Sequence, residues 1–397
     1  MNLNTIRDAD FRGKKVIVRV DYNVPTDDSG KVTDSTRIAA SIDTIKLLDE
    51  KGAKIILMSH LGRPSGVDDK LRLNGIAREL QSILDEKKIW LTVMKLDECI
   101  GDDIRRTIDS SREGKIFLLE NLRFHKEEEA NDDNFARELS RLADCYVSDA
   151  FGTVHRAHAS TAGITKYLPA YAGLLVEKEA MSLANITENP RKPFVAIIGC
   201  AKIKDKLNAV KFLLEKADKV IFGGAIVFSF FKAQGLEIGR SICEEDLSKI
   251  KDLQVKYGHK IVLPNDIVIA DDVKKPSRIS TVGFDRMPPD MIGVDVGPAS
   301  IEKFRREIEG AQTVIWNGPM GIFEVKEFAK GTDMLTDYIA GLKEKGVFTV
   351  IGGGDTVAAV AKVGFDRFSH VSTGGGAFLE FIEGKDLPGI AVLKKKY

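Results

Sequence analysis

Short runs rich in valine and isoleucine alternate along this chain with longer amphipathic stretches. The runs that we predict as strands cover residues 16–20, 55–58, 116–119, 146–147, 194–198, 220–222, 261–263, 314–316 and 347–351. The stretches that we predict as helices include residues 38–51, 134–143, 180–186, 204–216 and 301–308. This alternation is typical of parallel sheets with helices on both faces, where strands are apolar almost throughout. The sequence therefore predicts an α/β fold.

The chain has 397 residues, more than one hydrophobic core usually supports, so two domains are expected. A polar segment with two prolines, residues 187–193, follows one predicted helix, and the strand–helix pattern then restarts. We therefore predict two Rossmann-like domains, residues 1–185 and 186–387, each a parallel sheet flanked by helices, joined by a hinge.

Charge and cysteine usage narrow the class of protein. The 59 basic and 59 acidic residues balance, so the net charge favours neither nucleic acid nor an anionic membrane as a partner. Four isolated cysteines, Cys99, Cys145, Cys200 and Cys243, suit a reducing compartment. Residues 1–12 lack the apolar core of a signal peptide, and the apolar run 221–231 is too short for a membrane span. We expect a cytoplasmic protein, and we interpret residues 221–231 as a buried strand entering a helix.

Polar and basic residues follow each predicted strand of the first half. They are Asp21, Asn23, His60, Arg63, Arg123, His155 and Arg156, with Arg37 near the start of a predicted helix. Ligands of open parallel sheets bind at the carboxyl ends of the strands, and arginine suits phosphate and carboxylate recognition. We therefore predict a site for a small polyanion. The alternative is that each arginine is a solvated loop residue. His155 and His158 have no further ligand cluster, which favours a structural or phosphate-contacting role over metal binding.

The predicted strands of the second half end in glycines, at residues 199, 223–224, 318, 352–354 and 374–376. Glycine lets backbone amides approach a ligand closely, and a helix N-terminus offers free N–H groups to phosphate, as a nucleotide site requires. The alternative for any single cluster is a tight turn. The P-loop and G-x-G-x-x-G patterns and the protein-kinase motifs are absent, so those nucleotide-binding classes do not fit. The two halves together predict phosphoryl transfer between a polyanion and a nucleotide.

Several long motifs resemble those of the phosphoglycerate kinase family. VRVDYNVP at 18–25, SHLGRP at 59–64, LLENLRFHKEE at 118–128 and SDAFGTVHRAHAST at 148–161 resemble its substrate half. WNGPMGIFE at 316–324, GGGDT at 352–356 and STGGGA at 372–377 resemble its nucleotide half. The resemblance runs in order along nearly the whole chain.

The resemblance implies roles for individual residues. For binding of 3-phosphoglycerate it implies Asp21, Asn23, Arg37, His60, Leu61, Gly62, Arg63, Arg123 and Arg156. For nucleotide binding it implies Lys206, Gly293, Glu324, Gly353, Gly354, Asp355, Thr356, Gly374, Gly375 and Gly376. Asp355 would hold the Mg²⁺ of the nucleotide, and Lys202 and Arg37 would meet the transferring phosphoryl group. We also expect Lys202 and Lys206 to lie one turn apart on one face of the following helix.

The activity that the resemblance implies is reversible phosphoryl transfer from 1,3-bisphosphoglycerate to ADP, in glycolysis and gluconeogenesis, by a monomer that closes about its hinge. It also implies that a segment at about 388–397 returns to the first domain. The sequence departs from the usual family pattern at Cys200, Ala225 and Phe378, and these departures bear on the shape of the nucleotide pocket while the charged groups are all present. A non-catalytic nucleotide-binding relative, another small-molecule kinase and an acyl-phosphate phosphatase are the alternatives.

Overall fold

The computed structural model describes residues 1–112 and 114–395, and the contacts among them divide the chain into two units. Unit 1 comprises Met1–Met181 and the C-terminal segment from Asp386, and unit 2 comprises Ser182–Lys385. Backbone hydrogen bonds from Asn4 N to Leu393 O (2.8 Å) and from Gly389 N to Val154 O (2.8 Å) hold the C-terminal segment in unit 1. Residues 396 and 397 of the predicted returning segment lie outside the described residues.

Unit 1 contains a parallel six-stranded sheet with the order β3-β4-β2-β1-β5-β6. Its strands are β1 Lys15–Val20, β2 Lys54–Met58, β3 Thr92–Lys95, β4 Lys115–Leu118, β5 Cys145–Asp149 and β6 Ala170–Ala172. Alternate residues of β1 enter different cores: Val16 and Val18 pack on one face, and Ile17 packs on the other. Both faces are therefore buried, which is why β1 is apolar at consecutive positions.

Unit 2 contains a second parallel six-stranded sheet, with the order β15-β14-β13-β7-β8-β9, and a separate three-stranded sheet with the order β11-β10-β12. The strands are β7 Phe194–Gly199, β8 Lys219–Gly223, β9 Ile261–Val262, β10 Asp266–Ala270, β11 Ile279–Gly283, β12 Ile292–Val296, β13 Thr313–Asn317, β14 Phe348–Gly352 and β15 His370–Val371. The small sheet is antiparallel and was not predicted. The strand β11 is largely exposed, so it lacks the continuous apolar run that marks the parallel strands.

Helices cover the sheets of both units. They are α1 Thr36–Ala39, α2 Ile42–Glu50, α3 Asn74–Glu86, α4 Asp102–Ser110, α5 Lys126–Glu129, α6 Asp133–Ser140, α7 Leu174–Thr187, α8 Leu207–Lys216, α9 Ile226–Ala233, α10 Ser248–Tyr257, α11 Pro298–Ile308, α12 Lys330–Ala340, α13 Gly354–Val360, α14 Gly376–Ile382 and α15 Pro388–Ala391. Single 3₁₀ turns occur at Asp69–Leu71, Leu122–Phe124, Phe151–Thr153, Gly163–Lys166, Lys204–Lys206, Lys326–Phe328, Lys343–Lys345, Ala361–Val363 and Phe365–Arg367. The predicted α/β fold with parallel sheets is confirmed, and residues 221–231 form the end of β8 and most of α9, as expected. Across residues 1–112 and 114–395, the helices are too short or too polar to cross a bilayer.

Two helix predictions were wrong in detail. The stretch 38–51 is interrupted between α1 and α2, because the Ser41 hydroxyl bonds to the Ile38 carbonyl (2.8 Å) and to Tyr22 Oη (2.7 Å). Such side-chain bonds compete with the helical ladder. Lys202 and Lys206 do not share a helix: Lys202 lies in the loop after β7, and Lys206 ends a 3₁₀ turn before α8 begins.

Candidate active site

The carboxyl ends of β4, β2, β1 and β5, which are neighbours in that order, form one edge of the unit 1 sheet. Each strand leads directly into residues predicted for the polyanion site: β1 into Asp21 and Asn23, β2 into His60, Leu61, Gly62 and Arg63, β4 into Arg123, and β5 into Arg156. Because parallel strands expose their carboxyl ends at the same edge, these loops converge. The sequence showed only that each of these arginines follows a strand. The strand order of the sheet places them at one edge.

Arg37 joins this edge from α1. Its Nη1 donates to Asp21 Oδ2 (3.0 Å) and to the Asn23 carbonyl (3.1 Å). The Asn23 side chain in turn accepts a hydrogen bond from Gly62 N through Oδ1 (2.9 Å). These contacts connect the loops after β1 and β2 and orient the guanidinium.

Arg123 is almost completely buried, with 6% of its surface exposed. Its Nη1 pairs with Glu129 Oε1 (2.7 Å), whereas its Nε has no hydrogen-bond partner among the described residues. Burial lowers the pKa of Arg123, against the raising effect of Glu129. A buried guanidinium with an unused donor is suited to an incoming anion.

Asn121 builds the loops around Arg123 and was absent from the predicted site. Its Oδ1 accepts hydrogen bonds from Leu61 N (3.1 Å) and Arg123 N (3.0 Å), and its Nδ2 donates to the carbonyls of Leu61 (2.8 Å) and Leu71 (3.0 Å). An asparagine directly after a buried strand was the available signal. Leu61 and Leu71 are 60 and 50 positions away in sequence, so this role required the tertiary structure.

His60 is buried, and its Nδ1 lies 3.1 Å from Nη2 of Arg19. Burial, followed by the charges of Arg19, Arg123 and Arg37, lowers the pKa of His60 well below its ordinary value.

Arg63 and Arg156 are exposed, and Arg156 Nε donates to Nε2 of His155 (3.1 Å). The edge therefore combines exposed arginines with a buried, basic interior.

Unit 2 contains a cavity of about 630 Å³ whose lining includes the strand β12 and the segments that follow β7, β8 and β13. Among the predicted nucleotide and catalytic residues, those that line it are Lys202, Lys206, Gly293, Glu324 and Asp355. Gly353, Gly354, Thr356, Gly374, Gly375 and Gly376 are not among the lining residues. Thr356 is buried and accepts a hydrogen bond from Gly318 N (2.5 Å), while Gly375, with φ of 51°, leads into α14. The structure thus brings together five of the residues predicted for this half.

Lys206 is oriented by contacts across the cavity wall. Its Nζ donates to Asn317 Oδ1 (2.6 Å) and to the Gly199 carbonyl (3.2 Å). Burial lowers the pKa of Lys206, and Cys200 and Asp355 oppose that change. Asn317 is the last residue of β13 and was not predicted as a site residue, although its position at the end of that strand was the available signal.

Two phenylalanines occupy the space that side chains at glycine positions would need. A Cβ added to Gly293 would lie 2.0 Å from the Phe228 ring, and one added to Gly352 would lie 2.1 Å from the Phe378 ring. Phe378 is buried, whereas Cys200 and Ala225 line the cavity itself. The departures at 200 and 225 therefore alter the cavity wall, and the departure at 378 alters the packing behind it.

The residues present fit a magnesium–nucleotide complex rather than a site that binds metal through protein ligands alone. Mg²⁺ commonly takes one or two carboxylates and completes its shell with phosphate oxygens and water. Asp355, in the first turn of α13, supplies one carboxylate to the cavity. Within the part of the chain that the structure describes, the group of three possible metal ligands is Glu98, Cys99 and His125 in unit 1, which does not include Asp355. There, Glu98 and His125 bond to one another (2.7 Å).

Comparisons with known proteins show which family the chain belongs to. The family model described as phosphoglycerate kinase matches residues 6–385. The phosphoglycerate kinase of Thermosynechococcus vestitus is 51% identical over 391 residues, covering 97% of this chain and 96% of that protein. The cytosolic phosphoglycerate kinase of Triticum aestivum is 49% identical over 398 residues, covering 99% and 98%.

Solved structures agree as well. The phosphoglycerate kinase of Coxiella burnetii superposes with a TM-score of 0.88 at 35% identity, covering 98% of both chains. That of Pyrococcus horikoshii superposes with a TM-score of 0.80 at 31% identity, again covering 98% of both chains. The chain belongs to the phosphoglycerate kinase family, whose enzymes transfer a phosphoryl group reversibly from 1,3-bisphosphoglycerate to ADP in glycolysis.

Proposed function

We propose that unit 1 of this phosphotransferase binds 3-phosphoglycerate or 1,3-bisphosphoglycerate and that the cavity of unit 2 binds the magnesium complex of ADP or ATP. The observation that supports this division is that the cluster of arginines and the cavity lie in different units. The arginines converge on the carboxyl edge of the unit 1 sheet, while the cavity, lined by two lysines and by the acidic residues Asp295, Glu324 and Asp355, lies within unit 2.

In unit 1 the binding residues are Asp21, Asn23, Arg37, His60, Leu61, Gly62, Arg63, Arg123 and Arg156. The arginines supply forked donors to the phosphate and carboxylate groups of the substrate. Asp21 and Asn23 hold Arg37, which supports a positioning contribution in addition to any contact with substrate. The buried Nε of Arg123 supplies a donor that is not used by the described residues.

In unit 2 the binding residues are Lys206, Gly293, Glu324, Gly353, Gly354, Asp355, Thr356, Gly374, Gly375 and Gly376. Lys206 offers a cation to the nucleotide phosphates, and Asp355 would hold Mg²⁺ together with phosphate oxygens. When bound, Mg²⁺ neutralises part of the phosphate charge. Gly293 meets the cavity without a side chain, and Phe228 fills the space beside it.

The chemistry is a direct transfer without a covalent enzyme intermediate. A β-phosphate oxygen of ADP attacks the phosphorus of the acyl phosphate, the phosphorus–oxygen bond to the acyl group breaks, and 3-phosphoglycerate leaves as a carboxylate. The charge on the transferring phosphoryl group is spread over its equatorial oxygens, so catalysis depends on alignment and on cations that are already in place. We assign that role to Lys202 and Arg37.

Because the two substrates are assigned to different units, we also propose that the enzyme closes about its hinge when both are bound. Closure aligns the reactants and excludes water, which would otherwise hydrolyse the acyl phosphate. Small-angle scattering with each ligand alone and with both together tests this, and an unchanged radius of gyration in the ternary complex would argue against closure. We further propose that the enzyme acts as a cytoplasmic monomer.

The division between the units is tested by binding calorimetry on wild type, Arg63→Ala and the control Arg106→Ala, an exposed arginine on α4. Arg63→Ala removes a charge-assisted contact, so its affinity for 3-phosphoglycerate should fall by about 1.5–3 kcal/mol. Its affinity for ADP should be unchanged. Equal weakening of both ligands would contradict the division.

Turnover of 3-phosphoglycerate and ATP, coupled to NADH oxidation, tests the reaction itself. A non-catalytic relative would bind both ligands without turnover, and a phosphatase would release inorganic phosphate.

A further inference from the structure

Arg19 is a fully buried charge in β1, at 0% exposure, and the neighbouring positions 16–18 and 20 of that strand are buried and apolar. Each of the three nitrogens of its guanidinium contacts a polar atom of unit 1. Nε donates to Ser160 Oγ (2.9 Å), Nη1 donates to the Val20 carbonyl, and Nη2 faces Nδ1 of His60 at 3.1 Å. These contacts leave the guanidinium in one orientation, with His60 at one of its ends.

A buried carboxylate balances this charge. Glu128 is also fully buried, and it accepts hydrogen bonds from Ser160 N (2.9 Å) and Ser160 Oγ (2.6 Å). Burial alone would raise the pKa of Glu128, yet His158, Arg19 and Ser160 together hold it below its ordinary value. Arg19 and Glu128 therefore form a charged pair that is bridged by the Ser160 hydroxyl.

The contact between Arg19 and His60 determines where the His60 proton must be. A guanidinium has only donors and remains protonated in proteins, so the ring nitrogen that it faces must act as the acceptor. A neutral imidazole carries one proton, and an accepting Nδ1 requires that proton to be on Nε2. No hydrogen bond among the described residues involves Nε2.

We propose that Arg19 is a positioning residue that holds His60 as the neutral Nε2–H tautomer, so that His60 presents a hydrogen-bond donor rather than a cation to the bound phosphoglycerate. The assignment of that ligand to His60 rests on the proposed function. The neutral donor adds a directional contact to a site in which arginines already supply the positive charge.

The surroundings of His60 favour this state. The charged and titratable groups that act on it are Arg19 from β1, Arg37 from α1, Arg123 from the 3₁₀ turn after β4, and His158 from the loop after β5. All four oppose a further positive charge, and burial opposes it most. The pKa of His60 is accordingly lowered well below its ordinary value.

The tautomer is measured by proton–nitrogen NMR on the full-length protein with labelled histidine. The chain has six histidines, and the resonances lost in His60→Gln assign the ring. We expect a protonated Nε2 and an unprotonated Nδ1 across the physiological pH range, and a shifted Nε2–H resonance when 3-phosphoglycerate is added. A protonated Nδ1, or a doubly protonated ring at neutral pH, would overturn the proposal.

A second measurement asks whether Arg19 causes this state. Arg19→Gln removes the adjacent charge, so the pKa of His60 should rise and 3-phosphoglycerate affinity should become dependent on pH near the ordinary histidine pKa of about 6.5. Arg19→Lys retains the charge and should restrict that rise. An unchanged His60 spectrum and pH profile in a folded Arg19→Gln protein would contradict the positioning role.

Substitutions at His60 test the donor and keep Arg19 and Glu128 themselves. A glutamine amide nitrogen falls near the position of Nε2, whereas an asparagine amide reaches only to the position of Nδ1, where its oxygen can accept from Arg19. His60→Asn should weaken 3-phosphoglycerate binding by about tenfold, and His60→Gln should weaken it clearly less, with ADP binding unchanged. Equal losses would contradict a donor at Nε2. If the wild type bound no 3-phosphoglycerate while its NMR spectrum showed the expected tautomer, the proposed function would fail and the tautomer assignment would stand.

Discussion

Lys206 donates a hydrogen bond from Nζ to Oδ1 of Asn317 over 2.6 Å, at the point where β13 ends beside the cavity. The Asn317 amide is oriented by its other end, because Nδ2 donates to the Gly352 carbonyl (2.9 Å). The lysine is thereby held at the carboxyl edge of the sheet, between β7 and the end of β14. Asn317 therefore positions the cation that we assign to the nucleotide phosphates.

Removing the Asn317 amide should weaken nucleotide binding through Lys206. Asn317→Ala deletes one hydrogen bond to a charged group, so we expect ADP affinity to fall by about tenfold and 3-phosphoglycerate affinity to stay unchanged in calorimetry. Asn265 is a matched control, because its Oδ1 also accepts from a lysine, Lys303 Nζ (3.0 Å), on an exposed part of unit 2. Similar losses of ADP affinity in Asn317→Ala and Asn265→Ala would refute the positioning role.

Replacing Lys202 should mainly lower kcat, whereas replacing Lys206 should mainly weaken ATP binding. Lys202→Ala should lower kcat by about 10³–10⁵ while the dissociation constants of ATP and 3-phosphoglycerate change little, because a cation that meets only the transition state does not contribute to ground-state binding. Lys206→Ala should instead raise the ATP dissociation constant. Lys204, an exposed neighbour on the 3₁₀ turn, provides the control variant Lys204→Ala. Rate and binding that fall in equal proportion in Lys202→Ala would show that Lys202 acts in the ground state.

Asp355 is the test of the proposed metal site. Asp355→Asn preserves the size of the side chain but removes the charge that would hold Mg²⁺, so turnover should be largely lost and binding of the magnesium–ATP complex should weaken. Calorimetry of 3-phosphoglycerate provides the control, since its affinity should be retained. A variant with the wild-type dependence of turnover on Mg²⁺ concentration would rule out this assignment.

Asp149 should make the stability of unit 1 depend on pH. Burial raises the pKa of this carboxyl to about 7, and its Oδ2 has no hydrogen-bond partner among the described residues. A raised carboxyl pKa means that the folded state binds the proton more tightly, so the contribution to stability is complete below about pH 4 and is lost as pH rises through about 7.

Asp149→Asn removes this titration and keeps an oxygen to accept from Leu175 N (2.9 Å). Chemical denaturation from about pH 4 to about pH 8 should show that the variant gains stability relative to wild type as pH rises, by at most about 4 kcal/mol. Asp252→Asn, on the exposed surface of α10, should show no such gain. A constant difference between Asp149→Asn and wild type over that range would contradict the prediction.

The apolar runs were sufficient to locate most strands of both parallel sheets, because a strand buried on both faces is apolar at consecutive positions. Residues 55–58 and 314–316, for example, correspond to β2 and β13. The strands β11 and β3 lack buried positions, so the same signal was missing from them. The strands β10 and β12 do have buried positions, but they were not predicted, and the antiparallel sheet of unit 2 was visible only in the structure.

The motifs alone indicated the family and the chemical groups at its site, because residue types such as arginine, lysine and aspartate after strand ends are properties of the sequence. What the tertiary structure decided is how those groups are oriented. Arg19 and Ser160 are 141 positions apart, and Lys206 and Asn317 are 111 positions apart, yet each pair shares a hydrogen bond. Strand order brings such pairs together, and burial then determines protonation, as it does for His60. Local sequence reveals neither the strand order nor the burial of polar side chains such as Arg19 and His60, since both arise from packing between distant segments.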